Sequence, residues 1–159
     1  MRELLPREGR PLWLSFTLED GNPGQVPPRL RSGETVEQAT RAAVRLAAQA
    51  LLFNCSQPEV MGPAVTVATS VLAEAPRPAM AIGVYANAFP PQDTSAQANS
   101  TLLTLREDLS PNEYLRWART WVSCGASIVG GCCGIGPEHI AVLRSQLVTP
   151  SLAPPPSRH

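Results

Sequence analysis

The chain has 159 residues, enough for one domain with its own core, and 43% of them are hydrophobic, which is ordinary for a globular protein. Thirteen basic and thirteen acidic residues cancel and the basic ones are scattered, which argues against nucleic acid or an anionic membrane as a partner. No apolar run approaches the roughly 18 residues that span a bilayer, and Met1 to Glu8 lacks the continuous apolar segment of a secretory signal, so a cytoplasmic address with reduced cysteines is expected.

Residues 1–10 are polar and read as a lead-in. Pro11 to Leu18 then reads as a strand, with β-formers in partial alternation, and Glu19 to Gly24 as a loop. A helix is expected from Thr35. Thr35 and Gln38 have capping-box spacing, and Glu37 and Arg41 are placed to pair at i, i+4. Its apolar face would be Val36, Ala39, Ala43, Ala47 and Ala50. The second strand, Ala50 to Asn54, ends in Cys55. Ser56 and Glu59 repeat the capping-box spacing and Pro58 suits a first turn, so a helix is predicted directly after Cys55, with Pro63 kinking or delaying it.

The third strand is Met80 to Tyr85. A long polar segment, 86–110, follows, of a length that is usually functional or disordered. Ser110-Pro111-Asn112-Glu113 combines a capping box with an N1 proline and starts a helix striped by Tyr114, Ala118, Trp121 and Val122, which Gly125 stops. Ala126 to Val129 forms the fourth strand and runs into Gly130-Gly131-Cys132-Cys133-Gly134. Ile140, Leu143 and Leu147 give the face of a last helix. Residues 149–159 are proline-rich and read as a disordered tail, leaving 1–148 as the domain. Strand and helix therefore alternate four times, the pattern of an α/β fold with a parallel sheet and helices outside it.

In such sheets the chemistry lies at the carboxyl ends of the strands. Cys55, Asn87, Cys132 and Cys133 all fall there. In ideal strand geometry adjacent side chains point to opposite faces, so Cys132 and Cys133 would not share a target. The flanking glycines relieve this by permitting positive φ and close backbone approach. Three thiolates with an open fourth position make a catalytic rather than a closed structural zinc site. Taken alone, Cys55, or a bare Cys-Cys pair, reads more readily as buried small hydrophobes than as metal ligands, and it is the shared context that favours a site. Cys124, at a helix end away from the strand ends, reads as packing.

Asn54-Cys55 with Gly130-Gly131-Cys132-Cys133-Gly134 and Pro137-Glu138-His139-Ile140 resembles the zinc-dependent homocysteine S-methyltransferases. The resemblance extends to Ser15-Phe16-Thr17-Leu18, Gly62-Pro63 and Val84-Tyr85-Ala86-Asn87, and covers residues 10–147. It implies the C-terminal half of a (β/α)8 TIM-type barrel with four βα units, since the Asp-Gly-Gly turn of the family's first barrel strand is absent. It further implies Zn2+ on Cys55, Cys132 and Cys133. Homocysteine would bind as a thiolate and take a methyl group from a sulfonium donor, S-methylmethionine or S-adenosylmethionine, with betaine as the related alternative. Methionine would be the product.

Asn54 and Asn87 would orient substrate or simply make turns. Ser15 and Thr17 alternate toward the barrel interior, as substrate contacts or as polar filling. His139 reads as a helix-surface residue rather than a fourth ligand. Gly134-Ile135-Gly136 opens a dinucleotide-like pattern, but His139 stands where its third glycine belongs. Ala88-Phe89 replaces the small residue and glycine that usually follow the asparagine in the family.

Two other functions compete with the enzyme. One is a catalytically impaired zinc-binding fragment acting by association, as a homo-oligomer or with a complementing N-terminal half barrel. The other is a thiol redox protein using Cys132 and Cys133, disfavoured because vicinal cysteines form a strained disulfide.

Overall fold

The computed structural model describes residues 10–20, 24, 27–75, 80–90 and 104–148. Four strands, β1 (Trp13–Thr17), β2 (Ala50–Asn54), β3 (Ala81–Tyr85) and β4 (Ile128–Val129), form an all-parallel sheet in the order β1-β2-β3-β4. Four helices follow the strands in turn: α1 (Val36–Arg45), α2 (Pro58–Ala73), α3 (Pro111–Ser123) and α4 (Pro137–Leu147). This is the α/β architecture expected, with the layout of half a (β/α) barrel. The proposed tail and most of the long polar segment lie outside the described residues.

The core lies on one side of the sheet. Leu51, Phe53, Ile82 and Val84 point to the helices and meet Val36, Ala43, Met61, Val65, Ala68, Tyr114 and Trp121. Each such side chain taken fully out of water contributes about 1.5–3 kcal/mol. Register places Ser15 beside Leu52, Thr17 beside Asn54, Asn54 beside Tyr85 and Gly83 beside Ile128 on the opposite face. No helix covers that face among the described residues, and Trp13 at its edge is 56% exposed. Gly83 is needed there, because a Cβ would stand 2.4 Å from Leu52 Cδ2 and 3.1 Å from Ile128 Cβ.

The α1 capping box forms as expected, with Gln38 N–H donating to Thr35 Oγ1 at 3.1 Å and Thr35 N–H to Gln38 Oε1 at 2.9 Å. Arg41 pairs with Glu37 at 2.9 Å. The apolar face is shorter than periodicity suggested: α1 ends at Arg45, Ala47 turns through φ +51° and Ala50 belongs to β2. On α3, Ser110 Oγ accepts from Glu113 N–H at 3.4 Å. Leu115 joins Tyr114, Ala118 and Trp121 in the core while Val122 is exposed, because the sheet takes a face rotated from the expected stripe. Likewise Ile140 is exposed and α4 buries His139 and Leu143.

Two expectations around α2 fail. Ser56 does not cap it; the N-cap is Gln57, with no side-chain bond. Ser56 is fully buried and instead accepts from Leu18 N–H at 2.8 Å while its hydroxyl faces the Leu18 and Asn54 carbonyls at 3.1 Å, stitching the ends of β1 and β2 together. Asp20 supplies negative charge at the helix start, where its Oδ1 accepts from Gln57 N–H at 2.8 Å. Pro63 neither delays nor interrupts α2, which runs from Pro58 to Ala73. Its ring is exposed to solvent, so it meets no other element, and the helix runs on with one backbone donor missing. Ser56→Ala would leave the buried Leu18 N–H without its acceptor. A loss of about 1–3 kcal/mol in urea unfolding is expected, and an unchanged midpoint would show that the stitch contributes nothing.

Candidate metal centre

Cys55 follows β2 directly, and its amide continues the sheet ladder by donating to Tyr85 O at 3.0 Å. At Cys55 the chain turns through φ +50°, a left-handed conformation that side-chain-bearing residues rarely adopt. The strain was not legible in the sequence, where relief was expected from glycines. It re-aims the Cys55 side chain off the strand's alternation.

The second arm is the turn after β4. Gly130 N–H donates to Val84 O at 2.8 Å and Cys132 N–H to Ala86 O at 2.9 Å, so the chain runs alongside β3 into the cysteine pair. Gly134 then takes φ +79°, and Gly131 lies so close to Ile135 that a Cβ would stand 2.2 Å from its Cγ2. Of the glycines around the pair, one thus supplies positive φ and another close approach.

The sulfurs of Cys55, Cys132 and Cys133 all lie within 4.8 Å of one another. Cys55 Sγ and Cys133 Sγ are 4.0 Å apart, and Cys132 Sγ and Cys133 Sγ 3.8 Å. Zinc–sulfur bonds of about 2.3 Å at tetrahedral angles put neighbouring sulfurs about 3.8 Å apart, so the two spacings to Cys133 are close to those a zinc ion requires. Cys133 is exposed and the other two are half-buried, which leaves one side of the triangle open. Burial pushes the Cys132 thiol up to about 12, and hydrogen bonding with Cys55 adds to the shift. Cys124 stands apart at the end of α3, packed against the core.

The remaining sequence candidates divide. Asn87 is buried, and its Nδ2 donates to Cys55 O at 3.0 Å and lies 3.9 Å from Cys55 Sγ, while its Oδ1 accepts from Phe89 N–H at 3.2 Å. Its amide therefore holds Cys55 and shapes the turn at once. Asn54 Oδ1 accepts from Thr17 Oγ1 at 3.3 Å, and the Ser15 hydroxyl bonds the Tyr85 hydroxyl, all on the face that no helix covers. Ala88 is buried, and its N–H donates to Cys133 O at 2.9 Å.

His139 is not a surface residue: it is 7% exposed. Its Nδ1 accepts from Gly136 N–H at 3.2 Å, which leaves the ring proton on Nε2, facing Leu109 O at 2.9 Å. With both nitrogens occupied it offers no ligand. Tyr114 lies on the apolar stripe of α3, yet its buried hydroxyl donates to Gly130 O at 2.8 Å and anchors the turn that carries the pair. A tyrosine on an apolar stripe carries no sequence signal for that bond.

Residues 1–147 match the family model for homocysteine S-methyltransferase. The chain belongs to the homocysteine S-methyltransferase family. No curated protein matches it. The family's reaction is methyl transfer to homocysteine, and the family is in general zinc-dependent, which agrees with a donor set of three thiols. No helix among the described residues is long and apolar enough to cross a membrane.

Because these thiols must lose protons to bind a cation, affinity for zinc is expected to rise as pH increases from about 6 to about 8. Chelator competition across that range measures it. A flat or falling profile would exclude the thiols as ligands.

Proposed function

We propose that the chain is a homocysteine S-methyltransferase that holds Zn2+ on Cys55, Cys132 and Cys133 and forms methionine from homocysteine and a sulfonium donor. The observation that carries this reading is the sulfur triangle, open on one side and with its two spacings to Cys133 close to those of zinc, at the carboxyl ends of parallel strands. Zinc bound there would lower the pKa of an entering thiol, so that homocysteine reacts as its thiolate near neutral pH.

The chain's own residues have three tasks in this reaction. The cysteines, as thiolates, leave a net charge of about −1 on the site and keep the substrate sulfur electron-rich. Asn87 holds Cys55 in its strained conformation through the bond to Cys55 O, and directs N–H toward Cys55 Sγ. Ser15, Thr17, Asn54 and Tyr85 supply hydroxyls and an amide on the neighbouring uncovered face for the polar ends of the substrates. S-methylmethionine and S-adenosylmethionine both present a methyl group on positively charged sulfur, which an anionic site attracts; betaine presents it on nitrogen.

A second reading, a zinc-binding half barrel that works by association, is favoured by the uncovered sheet face and the exposed Trp13. A second copy or a complementing N-terminal half would cover that face and pair the edges of β1 and β4, which are free among the described residues.

Methionine formation from homocysteine, assayed with each of the three donors, tests both. The enzyme reading expects turnover with at least one donor, abolished in Cys133→Ser. Zinc bound at about one per chain without turnover on any donor would leave the association reading, and size measurement would then identify the assembly.

A further inference from the structure

Residues 104–109 lie against both arms of the sulfur site. Arg106 N–H donates to Ala88 O at 2.9 Å, and Ala88 N–H in turn donates to Cys133 O at 2.9 Å. Leu105 packs over the cysteine turn, where a Cβ at Gly134 would stand 2.5 Å from Leu105 Cδ2. Leu109 O faces His139 Nε2 at 2.9 Å, just beyond that turn. These contacts all belong to the Cys132–Cys133 arm.

The Arg106 side chain reaches the other arm. Its Nη1 donates to Glu59 Oε2 at 2.9 Å and its Nη2 lies 2.7 Å from Glu59 Oε1, a two-pronged grip on the first turn of α2. Nε and Nη2 grip Asp108 in the same way, at 3.0 and 2.7 Å. Glu59 lies four residues after Cys55, in the first turn of α2, so a continuous path of bonds runs from Cys133 through Ala88 and Arg106 to the helix that begins just after Cys55. The side chains of Arg106 and Glu59 are 17% and 25% exposed, so the pair is shielded relative to an ordinary surface ion pair. Only arginine has the planar fork of donors that serves two carboxylates and fixes their directions.

We propose that Arg106 is a positioning residue that sets the distance between Cys55 and the Cys132–Cys133 pair by tying the start of α2 to the segment that holds Cys133. The inference rests on the reading of the three thiols as metal ligands. Backbone bonds through residues 86–88, the Asn87 side chain and the Tyr114–Trp121 pair also join the arms, and the fork adds the side-chain tie from the start of α2 to the segment beside Cys133, so its loss gives the Cys55 sulfur more room to move from the other two.

Cobalt(II) titration of the full chain, wild type against Arg106→Gln, Arg106→Lys and Glu59→Gln, reads the effect through thiolate-to-cobalt charge-transfer intensity and chelator competition. Arg106→Gln and Glu59→Gln are expected to weaken cobalt binding about 10–100-fold, the usual cost of losing a residue that orients ligands. Arg106→Lys should fall between them and wild type, since it keeps a charge but not the fork.

Arsenite, which captures closely spaced thiols without zinc, provides an independent arm. Counting the thiols that remain reactive should find Cys124 alone in wild type, and Cys124 with Cys55 in Arg106→Gln. Variants that match wild type in both arms would overturn the proposal. So would variants that all lose cooperative unfolding, because Arg106 would then be holding the fold rather than the spacing. A wild type that takes arsenite on three thiols but binds neither cobalt nor zinc would sink the metal reading, while the arsenite comparison still judges Arg106.

Discussion

The site depends on the backbone of Ala86, Asn87 and Ala88, which bonds to both cysteine-bearing arms. Ala86 O accepts from Cys132 N–H, Ala88 N–H donates to Cys133 O, and Asn87 N–H donates to Ser56 O at 3.1 Å. This short stretch beyond β3 acts as a gauge between thiols separated by 78 positions along the chain. Backbone bonds in a shielded place suit that task, because an unpaired buried N–H or C=O costs more than a made bond contributes. The gauge thus resists slippage in either arm.

Around it the structure accepts local cost. A left-handed backbone at Cys55 is paid for elsewhere, by the bonds of Asn87 to Cys55 O and of Cys55 N–H to Tyr85 O. Burying Cys132 beside two other sulfurs favours its protonated form, so three thiols so close together gain little in the absence of a cation. A left-handed backbone at Cys55 and three crowded sulfurs are features that a cation, if bound, would offset by drawing the sulfurs together.

Support for the site extends into the core. Tyr114, from α3, holds Gly130 O, and Trp121 Nε1 donates to Pro58 O at 3.2 Å at the start of α2. The two rings meet edge to face at 5.4 Å. A single aromatic pair therefore connects both arms to the hydrophobic interior, and the positions of the thiols follow the packing of the helices on the sheet.

By itself the sequence determined the order of strands and helices, the parallel sheet, the cap at Thr35 and the placing of three cysteines at strand ends, because periodicity, capping spacing and βα alternation are local or repetitive signals. It misplaced what depends on partners distant in the chain. Ser56 has the spacing of a cap, but the buried end of β1 competes for its hydroxyl and wins, since Leu18 N–H has no water to turn to. His139 has the position of a surface residue, yet Leu109 O and Gly136 N–H fill both its nitrogens. Only the tertiary structure decided the size of the sulfur triangle, the positive φ at Cys55 and the tie through Arg106. Each is a distance or an angle set by segments that meet across the sheet, and a residue's type and spacing carry no record of which distant atom it will face.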